Sequence, residues 1–226
     1  MKYFISGKVL PERAAVQFSE IAMDMKQHGY LKITCDAGQL NAIFDTPTKD
    51  IVSAKLTVEH NAQMIVSALG FSLNCGYSVE IINVFGSDEQ DQAVVFGVKA
   101  DTKNEFEQTK VFNDSLHFSV KNVYFRMALR DYMRAITDTM DCAFYCYRAL
   151  EAITKSYNTG QGSQGWLDLH KNLGTNREDV DTKITNFASP VRHGRWAEVK
   201  STTSKERMEM LSYTQSVLLK FLAKNT

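Results

Sequence analysis

The sequence predicts an α+β protein in two parts: a mainly antiparallel β domain with one helix, followed by an all-helical bundle. The prediction rests on a change in hydrophobic period along the 226 residues. Over much of the first part, apolar residues alternate with polar ones, which is the period of a half-buried strand. In the second part they recur every three or four positions, as in an amphipathic helix. We place the two domains at residues 1–105 and 106–226.

Five short runs near the start of the chain have the composition of strands. They are Lys2–Leu10, Ala14–Ile21, Tyr30–Cys35, Gln39–Phe44 and Val52–Val58. Asp36, Ala37 and Gly38 separate the third run from the fourth, and Gly38 can take the positive φ that a tight hairpin requires. The third and fourth runs are therefore predicted to pair as a hairpin.

A helical period interrupts the strands at Asn61. The apolar residues that share one face of this helix are Ala62, Ile65, Val66, Leu69 and Leu73. The helix is predicted to end at Asn74–Gly76, where Gly76 can serve as the C-terminal cap. Beyond it, Tyr77–Phe85 and Ala93–Val98 are apolar and β-branched, which predicts a second hairpin.

The second domain is predicted to be helical almost throughout. Phe106–Lys121 contains the junction, and its period is ambiguous. A long helix is predicted from Val123 to Ser156, because the helical spacing persists there without Gly or Pro. After a loop at Asn158–Gly165, a short helix is predicted over Trp166–Leu173.

The ends of the last two helices are marked by capping residues. Asn176 can cap the first of them, and Pro190 is expected to end it because proline lacks the backbone donor. Thr203 and Glu206 form a capping box that opens the last helix, which runs to about Ala223. The residues predicted to be buried along it are Met208, Leu211, Gln215, Leu218 and Leu222.

The charges are balanced overall but unevenly distributed. Lys+Arg and Asp+Glu both total 26, yet residues 1–105 hold 9 basic and 13 acidic residues, and the remainder hold 17 and 13. The segment Arg192–Arg207 alone contains five basic residues and two acidic ones. Such a local excess can attract a phosphate ligand, or it can simply be a solvated face.

Several protein classes are not indicated by the composition. No apolar run reaches the roughly 18 residues of a membrane span, and the first residues do not form a secretory signal. We therefore expect a soluble, cytoplasmic protein with no membrane partner. Cys142 and Cys146 lie four apart and could share a metal, but no His or Cys pair completes a zinc set. Because no cofactor motif is present either, we expect no metal and no cofactor.

Polar residues recur at helical spacing on the predicted long helix. They are Arg134, Asp138, Asp141, Tyr145 and Arg148, with Glu151 three positions further on. One interpretation is an exposed ladder of ion pairs. The other is that Asp141, Arg148 and Glu151 orient groups on a facing helix, because a partly buried arginine needs a partner.

The segment from Asn186 to Trp196 is the most informative for function. His193 can transfer protons near neutral pH, and Arg192 beside it offers planar donors to a phosphate. The two could serve phosphodiester cleavage in which a ribose 2′-hydroxyl attacks phosphorus. Equally, Arg192, His193 and Gly194 can form a helix C-cap, with the glycine at positive φ and the cations near the negative end of the helix.

The order of elements around this motif resembles that of HEPN domains. A long helix ends in the run Tyr147–Ile153, a loop and shorter helices follow, and His193-Gly194 precedes a final helix. HEPN members commonly carry an arginine four to six residues before the histidine. Here Phe187–Ser189 occupies that position, and Arg192 adjoins the histidine instead.

The resemblance covers about Val123–Ala223 and implies a protein that binds or cuts RNA or another nucleotide ligand, in stress or phage defence. It implies His193 as the proton-transfer residue with Arg192 beside it, and a homodimer formed through the helical half. Phosphate would be contacted by Arg195, with Arg148 and Glu151 in support. The alternative is a non-catalytic dimerisation or docking module whose β domain binds a ligand or a protein.

Overall fold

The computed structural model describes residues 1–87, 94–95, 107–157 and 163–226. The chain separates into two compact units, one on each side of a division near residue 97. The predicted boundary between residues 105 and 106 lies outside the described residues. The first unit is a sheet with one long helix and the second is a helical bundle, so the predicted α+β class is confirmed.

The first unit contains a six-stranded antiparallel sheet with the order β2-β3-β4-β1-β5-β6. The strands are β1 (Lys2–Leu10), β2 (Phe18–Asp24), β3 (Tyr30–Asp36), β4 (Gln39–Asp45), β5 (Ser78–Gly86) and β6 (Val94–Val95). In β1, Tyr3, Ile5 and Val9 are buried and alternate with more exposed residues. One face of the strand therefore lines the core, as the period-two pattern predicts.

The predicted hairpins can be compared with these strands. The β3–β4 hairpin is confirmed, and Gly38 in its turn has a φ of 79°. The run predicted as Ala14–Ile21 is displaced, because the 3₁₀ turn Glu12–Ala14 occupies its start and the strand begins at Phe18. The second hairpin is confirmed where β5 pairs with β6, and the rest of Ala93–Val98 lies outside the described residues.

Helix α1 (Ile51–Leu73) covers the sheet and corrects the predicted strand Val52–Val58. Apolar and polar residues alternate in that run, as in a strand. The run also contains the first two residues of a buried apolar stripe that recurs every four positions along the helix. The stripe consists of Ala54, Val58, Ala62, Val66 and Gly70. Asp50 opens the helix by accepting hydrogen bonds from the backbone of Val52 and Ser53. The helix closes on Asn74 at a φ of 53°, and not on Gly76.

The second unit packs its helices around one apolar core. The helices are α2 (Gln108–Lys121), α3 (Val123–Thr137), α4 (Cys142–Tyr157), α5 (Ser163–Leu173), α6 (Arg177–Val180), α7 (Asn186–Arg192) and α8 (Ser204–Asn225). The largest fully buried side chains of this core include Phe125, Leu150, Ile153 and Phe221. Helix α4 contacts α3, α5, α7 and α8 and is the central helix of the unit.

The predicted long helix from Val123 to Ser156 is wrong, because the chain breaks between α3 and α4. Asp138 has an extended ψ of 97°, and its carboxylate accepts a 3.0 Å hydrogen bond from the backbone N–H of Asp141. A short acidic side chain that binds the backbone locally competes with the helix and favours a turn. The polar ladder predicted along one helix is therefore divided between α3, the turn and α4, which pack side by side.

Pro190 was predicted to end its helix, but it lies inside α7, which runs on to Arg192. A π-helical turn, Asp181–Thr185, joins α6 to α7. The carbonyls of Pro190 and Val191 accept hydrogen bonds from the backbone of Arg195 and Gly194. The helix end is therefore set by this C-terminal cap, two residues beyond the proline.

Two further predicted helix starts are confirmed. Asn176 accepts the backbone N–H of Asp179, and Thr203 and Glu206 form the complete capping box of α8. A third is displaced, because α5 begins at Ser163 and not at Trp166. The rest of the predicted loop, residues 158–162, lies outside the described residues. The buried face of α8 differs from the predicted one. It consists of Met210, Leu211, Thr214, Val217, Leu218, Phe221 and Leu222, so Met208 and Gln215 lie at its margin. Of the helices in the described ranges, none has the length and hydropathy needed to cross a membrane.

Candidate functional site

One face of α4 meets the C-terminal end of α7. Tyr147 and Glu151 lie four residues apart on α4, so their side chains stand one above the other on the same face. Arg192, the last residue of α7, reaches both of them. These three residues form what we call the α4–α7 corner. The structure thus brings together two predicted site residues, Arg192 and Glu151, that are 41 positions apart in sequence.

The Arg192 guanidinium makes three contacts in this corner. Its Nη1 donates to Tyr147 Oη at 2.8 Å, and its Nη2 lies 3.4 Å from Glu151 Oε1. Its central carbon stands 4.6 Å from the centroid of the Tyr147 ring, within cation–π distance. The Arg192 and Glu151 side chains remain 39% and 34% exposed. The guanidinium is therefore held in place while part of it still faces solvent.

Tyr147 serves this corner as a neutral group. Burial raises the pKa of its phenol, and the nearby carboxylate of Glu151 raises it further, against the opposing effect of Arg192. The hydroxyl is therefore protonated at neutral pH. It accepts from Arg192 and keeps its own proton available for one more hydrogen bond.

An aromatic row extends the corner toward α5. The Tyr147 and Trp166 rings are 5.8 Å apart, and the Trp166 and His170 rings are 6.0 Å apart. The His170 Nδ1 lies 2.8 Å from Thr175 Oγ1. Burial is the main cause that lowers the pKa of His170. This histidine is therefore neutral and packed, and it belongs to the structural support of the corner.

Gly165 allows α5 to approach α4 closely enough for this row to form. A Cβ atom at this position would lie 2.7 Å from the carbonyl oxygen of Thr154 on α4. Real Cβ atoms essentially never approach an oxygen so closely. The small residue before Trp166 therefore sets the spacing of the two helices.

His193 and Gly194 form the C-terminal cap of α7, as one of the two sequence interpretations predicts. His193 is the C-cap residue, and Gly194 follows with a φ of 66°. The backbone N–H of Arg195 reaches Pro190, and that of Gly194 reaches Val191, which is the Schellman pattern. The His193 side chain is exposed, and no hydrogen bond or ion pair joins it to any residue that the structure describes.

The exposed side chains continue past the cap. Arg195 donates to Glu198 at 2.8 Å and to Ser189 at 3.1 Å, and 48% of its side chain is exposed. Trp196 is 68% exposed, which is unusual for so large an apolar ring. We call residues Arg192–Trp196 the cap segment. It presents two arginines, a histidine and an indole to solvent.

Arg148, predicted to support the same site, faces another element. Its Nη2 lies 3.2 Å from Asp131 Oδ2 on α3, and Arg130 pairs with the other oxygen of Asp131 at 3.3 Å. Asp131 is buried, so the two arginines neutralise a carboxylate inside the bundle. Arg148 and Glu151 thus each pair with a facing helix, as the second interpretation predicts, but with different helices. Asp141, the third residue of that interpretation, lies in the turn between α3 and α4 and forms no ion pair with a described residue.

Sequence reasoning assigned no site role to Tyr147, Trp166 or Asp131. Tyr147 could have been found from its spacing to Glu151, since residues four apart share a helix face. Trp166 and Asp131 each have one partner on their own helix, His170 and Arg130, but the contacts that tie them to α4, with Tyr147 and Arg148, carry no signal in the sequence. A tyrosine, a tryptophan or an aspartate inside an amphipathic helix looks like a core or surface residue until the helices are packed.

The two helical cysteines are buried at the start of α4. A hydrogen bond between their thiols and the nearby Arg207 guanidinium lower the pKa of Cys142, whereas burial raises the pKa of Cys146 well above its usual value. Their exposed fractions are 1% and 0%. Within the described parts of the chain, no group of three His, Cys, Asp or Glu residues is placed to hold a metal.

Two family models match the chain, one in each half. Residues 3–95 match the model described as "Domain of unknown function (DUF8168) N-terminal domain", and residues 110–226 match the corresponding C-terminal domain. No curated protein and no solved structure matches the chain. The likeness to HEPN domains therefore rests on the residues themselves.

Proposed function

We propose that this chain, which belongs to the DUF8168 family, binds RNA or a related nucleotide ligand through the cap segment of its helical unit. The observation that carries the proposal is the exposure of Arg192, Arg195 and Trp196 together on one helix cap. Guanidinium groups bind phosphate oxygens with two parallel hydrogen bonds. An exposed indole offers a face on which an unpaired base can stack.

The α4–α7 corner prepares Arg192 for this role. Its guanidinium is oriented by Tyr147 and Glu151, and more than a third of the Arg192 side chain remains exposed to solvent. A ligand phosphate would compete with Glu151 for Nη2, while the hydrogen bond to Tyr147 keeps the side chain in place. A half-exposed pair of this kind contributes at most about 1 kcal/mol, so exchanging Glu151 for a phosphate costs little.

A second candidate function, metal-independent cleavage of RNA, is supported by the free imidazole of His193. In such a reaction the 2′-oxygen attacks phosphorus, the bond to the 5′-oxygen breaks, and the products are a cyclic phosphate and a 5′-hydroxyl. His193 would accept the proton of the 2′-hydroxyl or return one to the leaving oxygen, and Arg192 would stabilise the charge on phosphorus. A homodimer, which the HEPN likeness implies, would supply a second His193 for the other proton transfer.

Binding and cleavage can be tested separately with one set of variants. Fluorescence anisotropy with a labelled single-stranded RNA measures affinity for the wild type, Arg192→Gln/Arg195→Gln, Trp196→Ala and His193→Ala. We expect the double arginine variant and Trp196→Ala each to weaken binding, since one stacked base contributes roughly 1–3 kcal/mol. His193→Ala is expected to bind RNA within about twofold of wild type and to abolish any cleavage that EDTA does not inhibit.

The matched control is Lys171→Gln/Lys220→Gln, which removes two positive charges from exposed positions on α5 and α8. If it weakens binding as much as the double arginine variant does, the interaction depends on net charge, and the cap segment is not the site. Wild-type protein that leaves RNA unbound at low salt contradicts the proposal. Cleavage that persists in His193→Ala excludes this residue from the chemistry.

The non-catalytic alternative is supported by an apolar stripe on α2. Phe112, Leu116 and Val120 recur every four residues and are 66%, 58% and 75% exposed. An exposed apolar stripe on a helix is typical of a surface that meets another chain. On this interpretation the helical half dimerises or docks a partner. The β unit would bind a ligand, for example in the open pocket of about 390 Å³ beside Tyr30 and Asp45.

The variant Phe112→Ser/Val120→Ser tests this alternative by light scattering after gel filtration. A docking module is expected to lose its homodimer in this variant and to keep its helical circular dichroism. If the protein binds RNA without dimerising, the same variant is expected to keep the RNA affinity of the wild type. If the wild type is a monomer at micromolar concentration, the dimerisation half of the alternative is wrong.

A further inference from the structure

Three arginines follow one another along the exposed side of α3. Arg126, Arg130 and Arg134 are four residues apart, so they lie on one face at intervals of about 6 Å along the axis. Arg148 on α4 joins them, because α3 and α4 pack side by side and Arg148 reaches Asp131. We call these four residues the arginine ridge. All four side chains remain at least partly exposed.

The ridge keeps an excess of positive charge. Asp131 is the one acid that pairs with it among the described residues, and this carboxylate is shared by Arg130 and Arg148. Neither Arg126 nor Arg134 forms an ion pair with any residue that the structure describes, although Asp138 follows Arg134 by one turn. Four guanidinium groups against the carboxylates of Asp131 and Asp138 leave a net charge of about +2 on this face.

Aromatic rings at the same surface orient two of the four arginines. The central carbon of Arg134 lies 5.7 Å from the centroid of the Tyr145 ring, and that of Arg148 lies 6.0 Å from it. Arg148 also stands 5.6 Å from the Phe144 ring. Guanidinium groups ordered in this way lose less conformational freedom when they bind, and their planar faces are platforms for unpaired bases.

We propose that the arginine ridge is a second nucleic-acid-binding surface and that it takes a single strand. Cations at regular intervals track a phosphate backbone, and the planar faces of guanidinium groups oriented by rings favour bases that are not paired. An anionic membrane is a poorer fit, because a membrane-surface helix needs a free apolar face. The apolar face of α3 is buried inside the unit through Phe125, Ala128, Tyr132 and Ala135.

The ridge is distinct from the cap segment, and its proposal does not depend on that site. Tyr147 of the corner and Arg148 of the ridge are consecutive on α4, so their side chains point about 100° apart around its axis. The two surfaces thus lie on adjacent sides of the same helix. A strand that occupied both would cross the exposed side of α4, where Lys155 supplies another cation.

The test compares Arg126→Gln/Arg134→Gln with the wild type by anisotropy, using a labelled single-stranded oligonucleotide of about 20 nucleotides at several salt concentrations. The two substituted residues have no acidic partner in the described structure, so the fold should be unaffected, and circular dichroism checks this. We expect about tenfold weaker binding at low salt. The slope of log affinity against log salt should fall by about 1.4, because each lost phosphate contact on a single strand contributes about 0.7.

The control Lys171→Gln/Lys220→Gln removes the same charge elsewhere and should lower affinity by no more than about twofold. Arg192→Gln/Arg195→Gln separates the two sites. If the ridge variant loses affinity and the cap-segment variant binds normally, the ridge proposal is supported and the cap-segment proposal is contradicted. If the cap-segment variant loses affinity and the ridge variant binds normally, only the ridge proposal is overturned.

Three outcomes overturn the ridge proposal: equal affinity of the ridge variant and the wild type, no binding of any oligonucleotide by the wild type, and equal loss in the lysine control. Tighter binding of a duplex of the same length than of the single strand would also overturn the proposal, because it would show that unpaired bases are not recognised. Vesicles of phosphatidylcholine and phosphatidylserine bound in place of the oligonucleotide would assign the ridge to a membrane.

Discussion

Helix α4 carries two arginine–carboxylate contacts on neighbouring faces, and they differ in which partner is buried. On the α3 side, Asp131 is buried and its arginines are partly exposed. On the α7 side, Glu151 and Arg192 are both about one-third exposed. A buried carboxylate must be paired for the unit to fold, whereas a half-exposed pair can exchange partners at little cost. The first contact therefore belongs to the fold and the second is available to a ligand.

The largest loss of stability is expected when both cationic partners of Asp131 are removed. Arg130→Gln/Arg148→Gln leaves a buried carboxylate with no cation beside it. We expect the free energy of unfolding to fall by roughly 2 kcal/mol, less than for a fully buried ion pair because the arginines are partly solvated. Urea denaturation measures the change. Arg126→Gln, on the same helix without an acidic partner, should stay within about 0.5 kcal/mol of the wild type.

A substitution in the C-terminal cap of α7 should lower the free energy of unfolding by a smaller amount. Its effect comes from the backbone conformation of the cap. Gly194→Ala places a Cβ atom at a φ of 66°, which L-residues rarely adopt, and should lower the free energy of unfolding by about 1 kcal/mol. Nothing lies within 4 Å of the added atom, so no clash contributes. The partner variant Gly174→Ala, at a φ of 60° and equally open, should lose a similar amount. Loss of a much larger amount at Gly194 would show that the cap segment packs against something in solution.

Disruption of the exposed pair should have a small effect on stability. Glu151→Gln removes the ionic contact with Arg192 and leaves the 2.8 Å hydrogen bond to Tyr147 in place. We expect the free energy of unfolding to change by less than about 0.5 kcal/mol. RNA affinity should rise, because a phosphate no longer competes with the carboxylate for Nη2. A decrease of more than about 1 kcal/mol in the free energy of unfolding would show that the Arg192–Glu151 pair stabilises the fold, as the Asp131 contact does.

Much of the fold could be predicted from the sequence, because the apolar residues of many strands and helices recur with a clear period. The alternation in β1 and the capping box at Thr203 and Glu206 are local signals, and both are confirmed. The errors have local causes too. The apolar residues in the first turns of α1 fit the period of a strand as well as that of a helix. The break after Thr137 depends on a hydrogen bond to the Asp138 side chain.

The candidate site was less accessible to sequence reasoning because its contacts are long-range. One of the two sequence interpretations of His193 and Gly194 predicts a helix cap, and the two residues form one. The contact between Arg192 and Glu151 depends on how α7 lies against α4. Arg148 was grouped with Glu151 because they are three positions apart, yet the packing directs them to different helices. Spacing along a helix predicts which residues are neighbours on it, but the residues across from them follow from the tertiary structure.

The two histidines beside α4 provide the last and smallest test, because one is packed and the other is exposed. Burial lowers the pKa of His170 from its usual 6.5, an effect that Arg177 strengthens and Asp181 opposes. The unfolded chain therefore binds a proton more readily than the folded one as pH falls below about 6.5, and stability should decline. The His170→Gln variant should lose this component of the pH dependence, and His193→Ala should retain it. Urea midpoints between pH 7.5 and 5.5 measure the difference. A steeper decline in His170→Gln than in the wild type would show that the ring is protonated where it packs against Trp166.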